Sequence, residues 1–184
     1  MSDDLRVRKN RMAISSALFR LLERKTFESI TVADLCAQAM VARSTFYQHY
    51  TDKYALLNSI NRQRCGSLER FVTKRFHNTD QFPDLFNAVQ QWYADNATEL
   101  RILLHIHTRD ADLRRDIEAM LSSRCEAFIA ASCQPVVEPQ LVAKLYAVNV
   151  LAILEWALEH GITDSAARTI AALQHGIMGA ARQR

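Results

Sequence analysis

Glycine and proline are scarce in this chain, with four Gly and three Pro among 184 residues. Because these two residue types provide most tight turns, their scarcity disfavours many short strands and favours long helices. The hydrophobic fraction of 49% and the charged fraction of 23% are typical of a globular protein with a substantial core. Together with the helical periodicity along the chain, this composition predicts an all-α fold of about nine helices.

Motifs that would bind a metal or support catalysis are also missing. The four cysteines form no CxxC pair and have no metal-ligand spacing. The sequence contains no P-loop, no GxSxG, no HExxH and no glycine-rich dinucleotide turn. We therefore expect no catalytic residue, no metal and no cofactor, and an all-helical enzyme is the alternative from another functional class.

Signals for export or membrane insertion are weak. The N-terminal residues MSDDL are acidic and lack the apolar segment of a signal peptide. Residues 141–158 form a largely apolar run, but Lys144 and Glu155 within it would each cost roughly 2.5–3.5 kcal/mol at the centre of a bilayer. A helix buried in a protein interface explains the run better, so we expect a cytoplasmic protein with no membrane partner.

Positive charge is concentrated in the first third of the chain. Residues 1–64 contain 11 Lys and Arg against 6 Asp and Glu, a net charge of +5, whereas residues 65–184 have a net charge of −2. Such asymmetry indicates that the N-terminal part faces a polyanion.

Two short helical patterns flank a tight break within this basic part. The stretch from Thr31 to Asp34 has the form of a capping box and predicts a helix that begins at residue 31. After the break, residues 43–50 (RSTFYQHY) place polar, basic and aromatic side chains in about two turns. This pattern is typical of a helix-turn-helix whose second helix enters the DNA major groove. We predict a DNA-binding domain over residues 1–51 and a helical body over residues 52–184.

The second helix of this motif has distinct inner and outer positions. Phe46 and Tyr50 are four residues apart and are expected to face the neighbouring helices. Six side chains remain for the outer face or its edges: Arg43, Ser44, Thr45, Tyr47, Gln48 and His49. An arginine can donate to guanine O6 and N7, a glutamine can read adenine, and serine or threonine can contact several bases.

Phosphate contacts are expected from a second group of residues. Tyr47 and His49 are predicted to hold phosphates, which position the helix without specifying sequence. The helix that starts at Thr31 can accept a phosphate at its amides. Lys53, at the start of the next helix, is predicted to contact a phosphate as well.

The motifs ITVADLCAQA (residues 30–39), ARSTFYQHY (residues 42–50) and DKYALL (residues 52–57) resemble the TetR family of transcriptional regulators. The resemblance covers about residues 6–60. It implies a homodimer with a three-helix DNA-binding head, and a helical body that holds a pocket for an unidentified small-molecule effector. It also implies repression from a palindromic operator in double-stranded DNA, relieved when the effector spreads the two heads. DNA contacts carry over by resemblance onto Thr31, Arg43, Ser44, Thr45, Tyr47, His49 and Lys53, and more weakly onto Gln48.

Two residues depart from the family pattern in the turn. Met40 stands where the family usually has Gly, and Ala42 stands where it usually has Ser. A non-glycine residue in the left-handed region costs roughly 1–2 kcal/mol, and a lost serine cap costs roughly 1 kcal/mol. These departures put the geometry of the turn in question more than DNA binding itself.

The body provides candidates for effector binding and for dimerisation. Aromatic or polar residues on otherwise apolar faces are the effector candidates: Trp92, Tyr93, His105, Tyr146 and Asn149. Apolar residues of the last two predicted helices are the candidates for the dimer interface: Leu151, Leu154, Ile170, Leu173 and Ile177. An activator, or a co-regulator that acts with a partner protein, remains open as an alternative to a repressor.

Overall fold

The computed structural model describes residues 2–77, 82–131 and 138–163, together with 165–166, 168–170, 172–173 and 176. Seven helices lie within these residues: α1 Ser2–Leu22, α2 Val32–Ala39, α3 Arg43–His49, α4 Lys53–His77, α5 Phe82–Leu103, α6 Leu113–Ala131 and α7 Pro139–His160. The described residues from 165 onward are helical too. The predicted all-α fold is confirmed, and part of the predicted ninth helix lies outside the described residues.

The helical pattern of the sequence predicts two helices here, at about residues 83–96 and 98–108, but α5 runs without a break through residue 97. Asn96 does not end the helix, since its side-chain amide donates back to the carbonyl of Trp92 over 2.6 Å. Tyr93, Leu100 and Leu103 are all buried, so the apolar face continues through the expected break. The helix ends at Leu103, before the residue that was predicted to end it.

The three N-terminal helices form one small unit. α1 packs on α2 and α3, and its residues Ile14 and Leu18 are fully buried. Leu35 of α2 and Phe46 of α3 are also fully buried, and Tyr50 is nearly so. The prediction that Phe46 and Tyr50 face inward is confirmed. Residues of α1–α3 are called the head below.

The body is built around α6. This helix packs on α4 and α7 and buries Leu113, Ile117 and Leu121 completely. α4 continues through Gly66, where an added Cβ would meet nothing within 4 Å. Gly66 is therefore not required by close packing of another segment, and it does not interrupt the helix.

One helix in the described part of the chain, α7, is long and apolar enough to cross a membrane by length and composition. Its most apolar window has a mean hydropathy of 1.7, and 44% of that window is buried inside the protein. The helix packs on α6 and α5 and buries Ala143, Ala147 and Leu151 among its contacts. Burial against these two helices accounts for much of its apolar surface.

Candidate nucleic-acid interface

The start of α2 is held by a complete capping box. The amide of Asp34 donates to Thr31 Oγ1 over 3.1 Å, and the Asp34 carboxylate accepts from the amide and the hydroxyl of Thr31. Lys25 Nζ lies 3.1 Å from the other carboxylate oxygen. These hydrogen bonds, Thr31 first and then Lys25, lower the pKa of Asp34 to about 2. Thr31 is exposed, but its hydroxyl is already hydrogen-bonded to Asp34 within the cap.

The turn between α2 and α3 is tight and left-handed. Met40 has φ 54° and ψ 44°, and it is the position where a glycine was expected. The amide of Val41 donates to the carbonyl of Cys36 over 3.0 Å, which is the bond of a Schellman motif. Ala42 begins α3 with an extended backbone and no side-chain cap. The turn therefore has the backbone geometry of a Schellman motif, although Met40 and Ala42 stand where glycine and serine would favour it.

The exposed face of α3 presents several groups able to contact DNA. Arg43, Ser44 and Gln48 are exposed, and within the described part of the chain the Arg43 guanidinium has no hydrogen bond or ion pair. Tyr47 is 56% exposed, and its ring stands edge-on to Phe46 with the centroids 5.6 Å apart. Since Phe46 is fixed in the core, this contact limits the directions that the Tyr47 ring can take.

Two further predicted contacts are less open. Thr45 and His49 are half-buried, at the edges of the helix. The Nε2 atom of His49 is buried and finds no partner among the described residues. Its ring lies edge-on to Tyr50 with the centroids 6.3 Å apart. A phosphate contact from His49 Nε2 therefore requires the ring to move.

Lys53, for which the sequence predicts a phosphate contact, is hydrogen-bonded within the protein in this structure. Its ammonium donates to the backbone carbonyls of Phe27, Glu28 and Ile30 over 2.9, 2.7 and 2.8 Å. It also lies 4.9 Å from the centre of the Phe27 ring. An ammonium has three N–H donors, and all three are used by the loop before α2. Lys53 thus joins the start of α4 to the head rather than offering a free charge to a phosphate.

The head matches a known family of regulators. Residues 14–60 fit the model described as bacterial regulatory proteins, tetR family. The matched residues contain the whole helix-turn-helix and the start of α4. Residues 14–60 therefore form a TetR-family DNA-binding domain.

Individual relatives agree with this assignment. The chain is 32% identical over 71 residues to the HTH-type transcriptional regulator YxbF of Bacillus subtilis, a match that covers 38% of this chain and 19% of YxbF. The aligned segment thus spans about a fifth of the length of that curated relative.

Solved structures share the fold along the whole chain. NalD, the secondary repressor of the MexAB-OprM multidrug efflux pump in Pseudomonas aeruginosa, is 20% identical with a TM-score of 0.68 over 94% of this chain and 96% of NalD. The dihydroxyacetone kinase operon activator DhaS is 14% identical with a TM-score of 0.53 over 92% and 94% of the two chains. At these identities the likeness concerns the fold alone.

The five effector candidates of the body lie in different surroundings. Tyr93 and Tyr146 are buried, and Trp92 is half-buried with its ring 6.0 Å from Phe71. The Tyr93 hydroxyl is buried with no partner among the described residues, and burial raises its pKa.

The other two effector candidates lie in different places. His105 lines a small cavity of about 270 Å³ that also contains Arg101 and Glu155. Asn149 lines a groove between α7 and the described C-terminal residues, and its Oδ1 atom is buried with no partner in the part of the chain that the structure describes. Both residues therefore stay predicted effector contacts, in separate parts of the body.

The predicted dimer residues differ in their burial within the protomer. Leu151, Leu154 and Ile170 are buried inside the protomer, so they cannot face a partner as placed. Leu173 is 49% exposed, and Ile177 lies outside the described residues. α7 instead exposes a stripe at helical spacing, which consists of Leu141, Leu145, Val148, Ala152 and Trp156. The spacing of these residues is visible in the sequence. Because α7 is apolar on almost every side, however, the sequence does not indicate which face is buried within the protomer.

Proposed function

We propose that this TetR-family regulator binds a palindromic operator as a homodimer and that α3 of each protomer reads the major groove. The observation that carries the proposal is the division of α3 into two faces. Phe46 is fully buried on one side, while Arg43 and Gln48 are exposed on the other and have no hydrogen bond or ion pair among the described residues. This arrangement places a rigid helix with unpaired donors on the surface of a basic head.

Base reading is assigned to the exposed side chains at both ends of α3. Arg43 is positioned to donate to guanine, and Gln48 to pair with adenine. Ser44 and Thr45 contribute further polar contacts. Tyr47, steadied by its contact with Phe46, holds a phosphate and sets the register of the helix.

Dimerisation is assigned to the exposed stripe of α7. Leu141 is 58% exposed, Leu145 53% and Val148 45%, which leaves an apolar surface on a helix whose opposite face is buried. TetR-family regulators bind DNA as dimers, and a second copy on this stripe would build a four-helix interface with the C-terminal residues. Two-fold symmetry then requires two half-sites separated by about one turn of DNA.

The direction of regulation is proposed to be repression, released by a small molecule. NalD, a repressor by its description, shares the fold over nearly the whole chain. The buried hydroxyl of Tyr93, which has no partner among the described residues, is a polar group that an effector in the body could engage. DhaS, an activator by its description, has the same fold and supports the alternative of an activator or co-regulator. We place this non-enzymatic regulator in the cytoplasm, where its DNA target lies.

Footprinting of the DNA that flanks the gene, with the purified full-length chain, tests this function directly. The expected result is a protected segment with two-fold symmetry, and a stoichiometry of protomers that is a multiple of two. Reporter expression from the same segment, with and without the protein, then separates repression from activation. A footprint without two-fold symmetry, or a monomer at micromolar concentration, would contradict the dimeric mode of binding.

A further inference from the structure

A cleft lies between the head and the body, and the proposed function assigns no role to the residues that line it. Its volume is about 570 Å³, which is within the range of small-molecule sites. α1 and α4 provide its two walls, Tyr50 closes it from the head, and Glu99 of α5 reaches it from the body. Three arginines line it: Arg8 and Arg11 on α1, and Arg64 on α4.

Positive charge in the cleft exceeds negative charge. Three arginines face one carboxylate among the lining residues, which leaves a net charge of +2. Arg64 pairs with Glu99, but its Nε atom is buried and has no partner among the described residues. Arg8 and Arg11 are exposed, and neither forms an ion pair in the described part of the chain. Unpaired guanidinium donors beside a cavity are the groups that recognise a phosphate.

The remaining lining suits an organic molecule rather than a bare ion. Ser15 and Ser59 bring hydroxyl groups to opposite walls, while Met12 and Phe19 bring apolar surface from α1. We propose that this cleft binds an organic phosphate monoester, whose charge of about −1.5 to −2 at neutral pH matches the arginines. The phosphate lies among the arginines, and the organic part contacts the apolar side chains.

The position of the cleft connects this ligand to the orientation of the head. α1 packs mainly on α2 and α3, whereas α4 packs mainly on α5 and α6. A molecule that contacts both α1 and α4 therefore favours one angle between head and body over others. If that angle differs between the free and DNA-bound forms, the ligand changes operator affinity, a consequence that rests on the proposed function.

Calorimetric titration of the full-length protein tests the site itself, with phenyl phosphate, inorganic phosphate and benzoate as probes. Phenyl phosphate is expected to bind most tightly, because it alone offers both the dianion and the apolar group. Arg8→Gln and Arg11→Gln change exposed side chains and are each expected to weaken its binding about fivefold. Arg20→Gln is the matched control, since Arg20 is an exposed arginine of α1 outside the cleft.

Several results would overturn the assignment. These are no binding of phenyl phosphate at millimolar concentration, equal affinity for benzoate, or an equal loss in Arg20→Gln. Arg8→Gln and Arg11→Gln could also weaken operator binding as much as phosphate binding in the absence of any probe. In that case these arginines serve DNA phosphates, and the cleft assignment is wrong.

Operator binding at saturating phenyl phosphate tests the coupling separately. A change of about 5- to 150-fold is expected in the natural chain and none in the Arg8→Gln/Arg11→Gln double variant. Unchanged operator affinity in the natural chain, together with a positive titration, would reject the coupling and leave the site standing. A protein that binds no DNA would reject the proposed function, while the titration would still decide the cleft.

Discussion

The ammonium of Lys53 donates a 2.8 Å hydrogen bond to the backbone carbonyl of Ile30, the residue that precedes the cap of α2. The same ammonium is bonded to the carbonyls of Phe27 and Glu28. A single side chain of α4 thereby fixes the loop that leads into the helix-turn-helix. The position of α2, and through it that of α3, depends on a contact with the first residue of the long helix that continues into the body.

Replacing Lys53 by methionine should lower the free energy of unfolding by about 1.5–3 kcal/mol, because three carbonyls lose a charged donor. Chemical denaturation measures this loss. Under conditions where the variant is folded, the slope of log operator affinity against log salt should stay unchanged. A slope reduced by about one unit would instead show that Lys53 contacts a phosphate, as the sequence pattern predicts.

Met40→Gly should raise stability by up to about 1 kcal/mol. The side chain is 91% exposed, so little packing is lost, and glycine removes a left-handed strain of roughly 1–2 kcal/mol at some cost in chain entropy. Urea denaturation of the variant and of Met40→Ala makes the comparison, since alanine keeps the Cβ that causes the strain. Equal stability of the two variants would contradict the explanation.

The capping box should give the protein a distinct acid response. Because the pKa of Asp34 is lowered from 3.8 to about 2 in the folded protein, its carboxylate contributes stability that is fully present above pH 4. That contribution is lost as the pH falls through 2. The difference in stability between the natural chain and Asp34→Asn should therefore shrink between pH 4 and pH 2 in urea titrations. Glu28→Gln, an exposed carboxylate change in the same loop, provides the control.

Arg43→Ala should weaken operator binding by about 1–3 kcal/mol and relax the preference at one base pair. The reason is that Arg43 has free donors at the exposed start of α3. Selection of binding sites from a randomised operator measures both effects. Arg20→Ala, an exposed arginine outside α3, is the control. An Arg43→Ala variant with unchanged base preference would place this arginine on a phosphate.

Leu145→Glu should separate the dimer, since it would place an unpaired charge at the centre of the α7 stripe at a cost of several kcal/mol. The protomer should keep its helical circular dichroism, because Leu145 is 53% exposed there. Leu151→Glu should instead unfold the protomer, because Leu151 is 1% exposed. Sedimentation velocity distinguishes these cases, and Ala130→Glu, an exposed change on α6, should remain dimeric. An intact Leu145→Glu dimer would reject the stripe.

Local features of the head were predictable from sequence because the contacts that create them join near neighbours. The capping box joins Thr31 to Asp34, three residues away. The left-handed turn at Met40 also closes locally, through a bond between Val41 and Cys36, although the residue types in the turn had left its geometry in question. The inward position of Phe46 follows from helical spacing alone. Chemistry within a few residues thus determined the helix-turn-helix.

The tertiary structure alone decided the role of Lys53, the outer face of α7 and the cleft at the head–body junction. Lys53 and Phe27 are 26 residues apart, and Arg64 and Glu99 are 35 apart, so no local pattern links them. An almost wholly apolar helix such as α7 has no inherent inner side, and packing on α6 leaves Leu145 exposed while it buries Leu151. Local hydrogen bonds and periodicity determine where helices begin and which residue types they carry. Packing between segments that are distant in the chain determines which residues each helix face contacts. These contacts also determine which charged side chains are paired within the protein.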